Sequence, residues 1–182
     1  MAKVTWSRVV MNQEIDRLIN SIVGRLDKLN LLEISGCRWT VSGENGKHKT
    51  MNYPEYDICE LKLNEKFNLI IAEMVWEHLP YPNRAGNNVY AMLDTPGFFV
   101  ISVPFMYPIH NHPIDCTRWT PIGLRYFLSE CGFDLNKIHT NSWGNKDCVI
   151  SHNQEPIYYD AEKHSLINDP NMPVSVWAVA QK

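Results

Sequence analysis

The chain has no CxxC pair, no GxGxxG turn, no excess of basic charge and no apolar run approaching a membrane span. Each absence removes a class of function. Its five cysteines (Cys37, Cys59, Cys116, Cys131 and Cys148) are scattered and odd in number. That pattern argues against a disulfide framework or a zinc ribbon, and for reduced thiols in a cytoplasmic protein. A formal net charge of −3 gives no electrostatic footprint for nucleic acid. A membrane helix needs about 20 consecutive apolar residues, so no membrane partner is expected. The opening MAKVTWSRVVMNQEIDR lacks an uninterrupted apolar centre, and no signal peptide is expected. With no GxGxxG after any strand, a dinucleotide-dependent oxidoreductase is disfavoured. No repeat, low-complexity tract or linker divides the chain.

What is present is a globular composition. The 182 residues are 45% apolar, which bounds the chain to a single domain, 1–182, with a substantial core. Residues 7–28 carry apolar side chains at Ile15, Leu18, Ile19, Ile22, Leu26 and Leu29, one face of an N-terminal helix that covers a sheet. Leu31 to Ile34 reads as the first strand, and Ser35-Gly36-Cys37 as the turn after it. Residues 40–50 are polar with two glycines and read as a loop or loose hairpin. Lys49–Tyr53 and Tyr56–Cys59 read as short strands on either side of Pro54.

Residues 66–133 carry the most information. KFNLIIAEMVWEHLPYP gives a buried strand, Asn68 to Ala72, running into Glu77-His78, which is read as the start of a helix. VYAMLDTPGFFVISVPF gives the rest of that helix, a Pro-Gly turn and a second buried strand, Phe98 to Val103. Two strands joined by a helix favour a parallel pair, because a parallel return needs a crossover. A polar loop, 104–119, follows. Thr120 then caps a helix from Pro121 to about Cys131, with Gly132 at its exit. Strands are expected at about Asn136–Trp143 and Val174–Gln181. Between them, 144–173 reads as a long surface excursion. Ligands of open α/β sheets bind beyond the carboxyl ends of the strands, where both polar clusters fall.

These residues resemble the class I S-adenosylmethionine-dependent methyltransferases, and more narrowly a small bacterial, type 11-like group of them. The likeness is carried by Phe67-Asn68-Leu69-Ile70-Ile71, Glu77-His78, Pro82, Met92-Leu93, Pro96-Gly97, Pro104-Phe105, His110, Pro113, Asp115, Arg118, Thr120, Gly123-Leu124 and Gly132-Phe133. It covers roughly residues 30–135. It implies a Rossmann-like α/β fold with a mostly parallel sheet and an antiparallel C-terminal hairpin. It also implies S-adenosylmethionine as cofactor and methyl transfer to a small-molecule acceptor, such as a glycan sugar.

The resemblance assigns a cofactor half. Glu33 stands at the acid ending the first strand, and Ser35, Gly36 and Cys37 stand on the turn where glycines are usual. The alternative for Gly36 is a tight strand exit. Asn52 stands where an acid usually accepts from the ribose hydroxyls. Asp57 stands nearby, as a substitute contact or as a turn residue. Glu73 and Met74 end the next strand at the methyl-transfer site, and Trp76 faces the cofactor or packs in the core. Only 30 residues (37–66) lie between the first turn and Phe67. At about 1.5 Å per helical residue, two ordinary helices and two strands do not fit there. At least one helix of the usual arrangement is therefore missing, and the cofactor half is shortened and degenerate.

The acceptor half falls on the loop after Val103. His110 and His112 have the intrinsic pKa of a general base near neutrality. Asp115 and Arg118 either serve the site or form the loop's structural pair. Two other functions remain open. One is a non-catalytic binding or scaffold domain on the same fold. The other is a metal-dependent hydrolase using His110, His112 and Asp115, whose spacing invites ligation. No later histidine cluster supports the latter, and the sequence assigns no metal site.

Overall fold

A computed structural model describes residues 4–24, 28–39, 46–152 and 157–182. A 3-10 turn, Trp6–Arg8, leads into α1 (Val9–Val23). The apolar positions Met11, Ile15, Ile19 and Ile22 recur at helical spacing and are buried against the sheet. The helix is shorter than 7–28. Leu29, read as part of its apolar face, is the first residue of β1 (Leu29–Ile34), and Leu26 lies outside the described residues.

The sheet has six strands in the order β2-β1-β3-β4-β6-β5. Strands β2 (Gly46–Met51), β1, β3 (Phe67–Glu73) and β4 (Leu93–Pro104) are mutually parallel. Strand β6 (Ser175–Gln181) runs antiparallel between β4 and β5 (Ile138–Trp143), which forms the edge. The expected α/β fold, a mostly parallel sheet closed by an antiparallel hairpin, is therefore the observed one. Side chains alternate along the buried strands. In β3, Leu69 and Ile71 face α1, whereas Ile70 and Ala72 face the opposite core. That second core is covered by α2 (Pro82–Met92) and α3 (Pro121–Glu130).

Several local expectations changed. Residues 46–50, read as loop or hairpin, form β2; pairing with β1 over six residues supplies what the polar side chains do not. Residues 40–45 lie outside the described residues. Tyr56–Cys59 is a turn rather than a strand, with the Asp57 carboxylate accepting the Cys59 N–H at 2.8 Å. Among the described residues, no helix occurs between β1 and β3. Glu77 and His78 lie in a separate 3-10 turn, Trp76–His78, and α2 starts four residues after His78, at Pro82. Strand β4 begins earlier than expected. Its register steps from Phe67 opposite Leu93 to Leu69 opposite Phe98, so the Pro96-Gly97 turn is a bulge within the strand. Helix α3 is capped as anticipated: the Thr120 hydroxyl accepts the Gly123 N–H at 3.0 Å. Gly132 takes φ +107°, a value that favours glycine.

The 144–173 segment is not a bare excursion. It contains α4 (Lys146–Ser151), and Cys148 and His152 are buried. It folds back on the N-terminal turn. Trp6 stacks on His164 at 4.2 Å, and Trp6 and Trp143 donate their indole N–H groups to Ser165 and Leu166. Residues 153–156 lie outside the described residues. Among the described residues, no helix is long and apolar enough to cross a membrane.

Candidate functional site

Because β1, β2, β3 and β4 are parallel, Ile34, Met51, Glu73 and Pro104 end along one rim of the sheet. The turns leaving that rim carry nearly every residue singled out in the sequence.

The turn after β1 is organised by Glu33. Its buried carboxylate accepts the backbone N–H groups of Arg38 (2.8 Å) and Trp39 (3.1 Å) and lies 3.2 Å from His48 Nε2. Ser35 adopts φ +55° to start the turn. Gly36 lies so close to this carboxylate that a Cβ there would fall 2.5 Å from Glu33 Oε1. Arg38 then reaches back to Asp16 on α1 and to Glu73 at 2.8 Å, and the Trp39 indole donates to Glu73 at 2.7 Å. Two of the acids assigned to the cofactor half, Glu33 and Glu73, are thus already bound within the protein. Cys37 is exposed on the outside of the turn.

A first cavity of about 420 Å³ opens over the ends of β1 and β3. Ser35, Tyr53, Tyr56, Asp57, Met74, His78 and His112 contribute to its walls, over a floor that includes Ile34, Val75 and Leu79. Asn52 follows β2 as expected but is exposed and outside the lining; its carbonyl accepts the Tyr56 N–H at 3.0 Å. A second cavity of about 450 Å³ lies over β4 and β6, walled by Ser7, Arg8, Asn12, Glu77, Tyr107, His110, Tyr158 and Ser175. Met74 borders both. It holds φ +55° while its N–H donates to Ser102 O at 2.9 Å. A methionine at positive φ is strained, and here it divides two cavities. Trp76 packs in the core against Phe99, away from both.

The two histidines therefore part company. His110 faces the second cavity and His112 the first, with ring centroids 6.4 Å apart. His110 gains a neighbour that sequence reasoning gave to a helix start. Glu77 is fully buried, and among the described residues no other residue hydrogen-bonds either of its oxygens. His78 Nε2 lies 3.6 Å and His110 Nε2 3.9 Å from Glu77 Oε1. The loop after β4 makes this meeting possible. Cys116 and Thr117 donate backbone N–H groups to the Glu77 carbonyl at 2.6 and 3.2 Å, and His78 Nδ1 bonds Ile114 O at 2.5 Å. The available signal was the Glu-His pair directly after a buried strand, but partners 36 residues apart leave no local pattern.

Burial pushes the Glu77 carboxyl up to about 7, against the opposing influence of its own backbone N–H and of Arg118 and Arg8. Burial likewise lowers His110, so its imidazole is neutral near pH 7. Asp115 is the opposite case. Arg118 holds it bidentately, it accepts the His110 backbone N–H at 2.9 Å, and its carboxyl is pulled down to about 2. Asp115 is therefore engaged in fastening the loop. His112, Asp115 and His110 do not converge as ligands; among the described residues the convergent group is Glu77, His78 and His110.

No protein-family model and no curated protein matches the sequence. Solved structures do match. A selenomethionine-substituted CurJ carbon methyltransferase aligns at TM-score 0.67, with 14% identity over 96% of this chain and 55% of that one. An S-adenosylmethionine-dependent methyltransferase from Archaeoglobus fulgidus aligns at 0.60, with 13% identity over 96% and 94%. A phosphoethanolamine N-methyltransferase 2 of Haemonchus contortus, in complex with S-adenosyl-L-methionine, aligns at 0.61, with 10% identity over 94% and 52%. The chain spans about half the length of the first and third of these. At such identities the likeness is one of fold, and that fold is the class I S-adenosylmethionine-dependent methyltransferase fold.

Proposed function

We propose that the protein binds S-adenosylmethionine in the first cavity and methylates a hydroxyl of a small acceptor held in the second. The observation that carries this reading is the pair of cavities meeting at Met74, one bordered by Tyr53, Tyr56 and Asp57 and the other by Ser7, Asn12, Tyr107 and Ser175. The first has a size typical of ligand sites. Tyr53 and Tyr56 offer aromatic faces for a purine, and Asp57 a carboxylate for hydroxyl or amino groups. Glu33 acts indirectly, by shaping the turn. In the second cavity, Tyr107 and Tyr158 stand among Ser7, Asn12 and Ser175. That mixture of ring faces and hydrogen-bonding groups suits a sugar.

When bound, S-adenosylmethionine supplies an electrophilic methyl group. The protein's own contribution is alignment and charge. Holding acceptor and donor in cavities that share one wall makes the encounter effectively intramolecular. The hydroxyl proton passes to His110 Nε2, since Asp115, 3.3 Å from Nδ1, favours the tautomer with hydrogen on Nδ1. Glu77 stabilises the imidazolium that results.

Titration calorimetry with S-adenosylmethionine, followed by transfer of a labelled methyl group to a panel of sugars, tests this. Binding and transfer are expected, and absence of binding at millimolar cofactor sinks the proposal. A non-catalytic binding domain is the second reading. It is favoured by Glu33 and Glu73, both already engaged by the Arg38–Trp39 segment, and it predicts binding without transfer to any acceptor.

A further inference from the structure

Three potential ligand atoms meet at the seam of the two cavities. Glu77 contributes a fully buried carboxylate whose two oxygens have no hydrogen-bond partner from another residue among the described residues. An unpaired buried carboxylate is costly. His78 and His110 each turn Nε2 toward it, at 3.6 and 3.9 Å, too far for a hydrogen bond. The opposite nitrogen of the His78 ring is anchored. His78 Nδ1 lies 2.5 Å from the Ile114 carbonyl, which can only accept, so Nδ1 carries the hydrogen and Nε2 presents a lone pair. His110 Nδ1 faces Asp115 Oδ2 at 3.3 Å, which favours the same tautomer. Two lone pairs and a carboxylate oxygen, all within 4.8 Å of one another, converge on one point that a cation can occupy.

We propose that Glu77, His78 and His110 bind a divalent first-row transition-metal ion of the zinc type. Two imidazoles and one carboxylate are a borderline donor set suited to such ions rather than to calcium or magnesium. Tetrahedral ligands about 2.0–2.1 Å from zinc stand about 3.4 Å apart, so small side-chain movements close the site. The Ile114 carbonyl is an outer hydrogen-bond acceptor of the kind that orients a ligating imidazole, here His78, and the Asp115 carboxylate lies 3.3 Å from His110 Nδ1. Glu77 and His110 border the second cavity, so the open coordination positions face it.

The site stands on this geometry alone; its use rests on the methyl-transfer reading. Ligation occupies the Nε2 lone pair that otherwise takes the proton. With the metal bound, the acceptor hydroxyl coordinates through oxygen, is acidified by the cation and releases its proton to solvent.

The test is titration of chelator-treated protein with Co2+ and Zn2+, read by calorimetry and by the cobalt absorption spectrum. One ion per chain with a nitrogen–oxygen spectrum is expected. His110→Ala and Glu77→Gln should each weaken binding at least tenfold, and the surface control His139→Ala should not. Asp115→Asn should weaken it about 10- to 100-fold. If Glu77→Gln fails to fold, His78→Gln and His110→Ala carry the test on exposed-edge ligands. No binding, binding unchanged in the ligand variants, or a sulfur-to-cobalt charge-transfer band would overturn the site. Titration of S-adenosylmethionine into the metal-free protein is a separate readout, so failure of the metal site and failure of cofactor binding are told apart.

Discussion

Asp115 holds His110 twice: its Oδ2 accepts the His110 backbone N–H at 2.9 Å and lies 3.3 Å from the same residue's Nδ1. Arg118 clamps the carboxylate from the other side. One buried acid thereby sets both the path of the loop and the direction of the imidazole.

Removing that acid should loosen the loop and destabilise the protein. Asp115→Ala leaves the part-buried Arg118 without its partner, and hydrogen bonds to charged groups contribute about 1.5–3 kcal/mol. Urea unfolding should show a loss of that order, and a loss indistinguishable from zero would contradict the structural role.

The same acid should give stability a pH dependence. Its carboxyl lies at about 2 in the folded chain against an ordinary 3.8. A depressed acid stabilises fully above the unfolded value, and that contribution is lost as pH falls through the folded one. Stability should therefore drop between about pH 4 and pH 2. Asp115→Asn should flatten that part of the curve, measured by denaturant midpoints across the range.

The two loop histidines should separate kinetically. His110→Ala should lower turnover by about 10²- to 10⁴-fold, the usual range for a lost general base, with cofactor affinity nearly intact. His112→Ala should instead weaken cofactor binding, since it lines the first cavity. Identical effects of both substitutions on both constants would contradict the division of the loop between cavities.

Gly36→Ala should strain the turn after β1. The added Cβ meets Glu33 Oε1 at 2.5 Å, and overpacking of this kind costs about 1–3 kcal/mol. Because the carboxylate would have to leave the Arg38 and Trp39 N–H groups, cofactor affinity should fall together with the melting temperature. A variant with wild-type melting temperature and affinity would show that the turn relaxes freely.

Thiol labelling checks the packing independently. Cys37 and Cys116 are exposed, whereas Cys59, Cys131 and Cys148 are buried. Burial also pushes the last two thiols up to about 12, so they carry almost no thiolate at neutral pH. Two cysteines should react quickly in the native protein and all five in denaturant. Fast native reaction of Cys131 or Cys148 would mean that α3 or α4 opens readily.

The sequence alone determined the parallel β3–β4 pair, the capped helix after Thr120 and the two C-terminal strands, whose antiparallel pairing was implied by the family resemblance. Each is written in a local signal: an unbroken apolar run, a cap with proline in the first turn, or a run of alternating or apolar residues. It also determined that the space between β1 and β3 is too short for the usual helices, because chain length is a hard limit on what can be built. It misread the first half of β2, whose polar Lys47 and His48 are strand only because β1 supplies the backbone partners. The site divided in the same way. Acids at strand ends were legible as Glu33 and Glu73, but their engagement by Arg38 and Trp39 was not. Those contacts depend on how a turn folds back over its own strand. Glu77, His78 and His110 became a group only in three dimensions. Loop closure by Asp115, Arg118 and the Glu77 carbonyl brings distant residues together through backbone hydrogen bonds, and a backbone group carries no sequence signature.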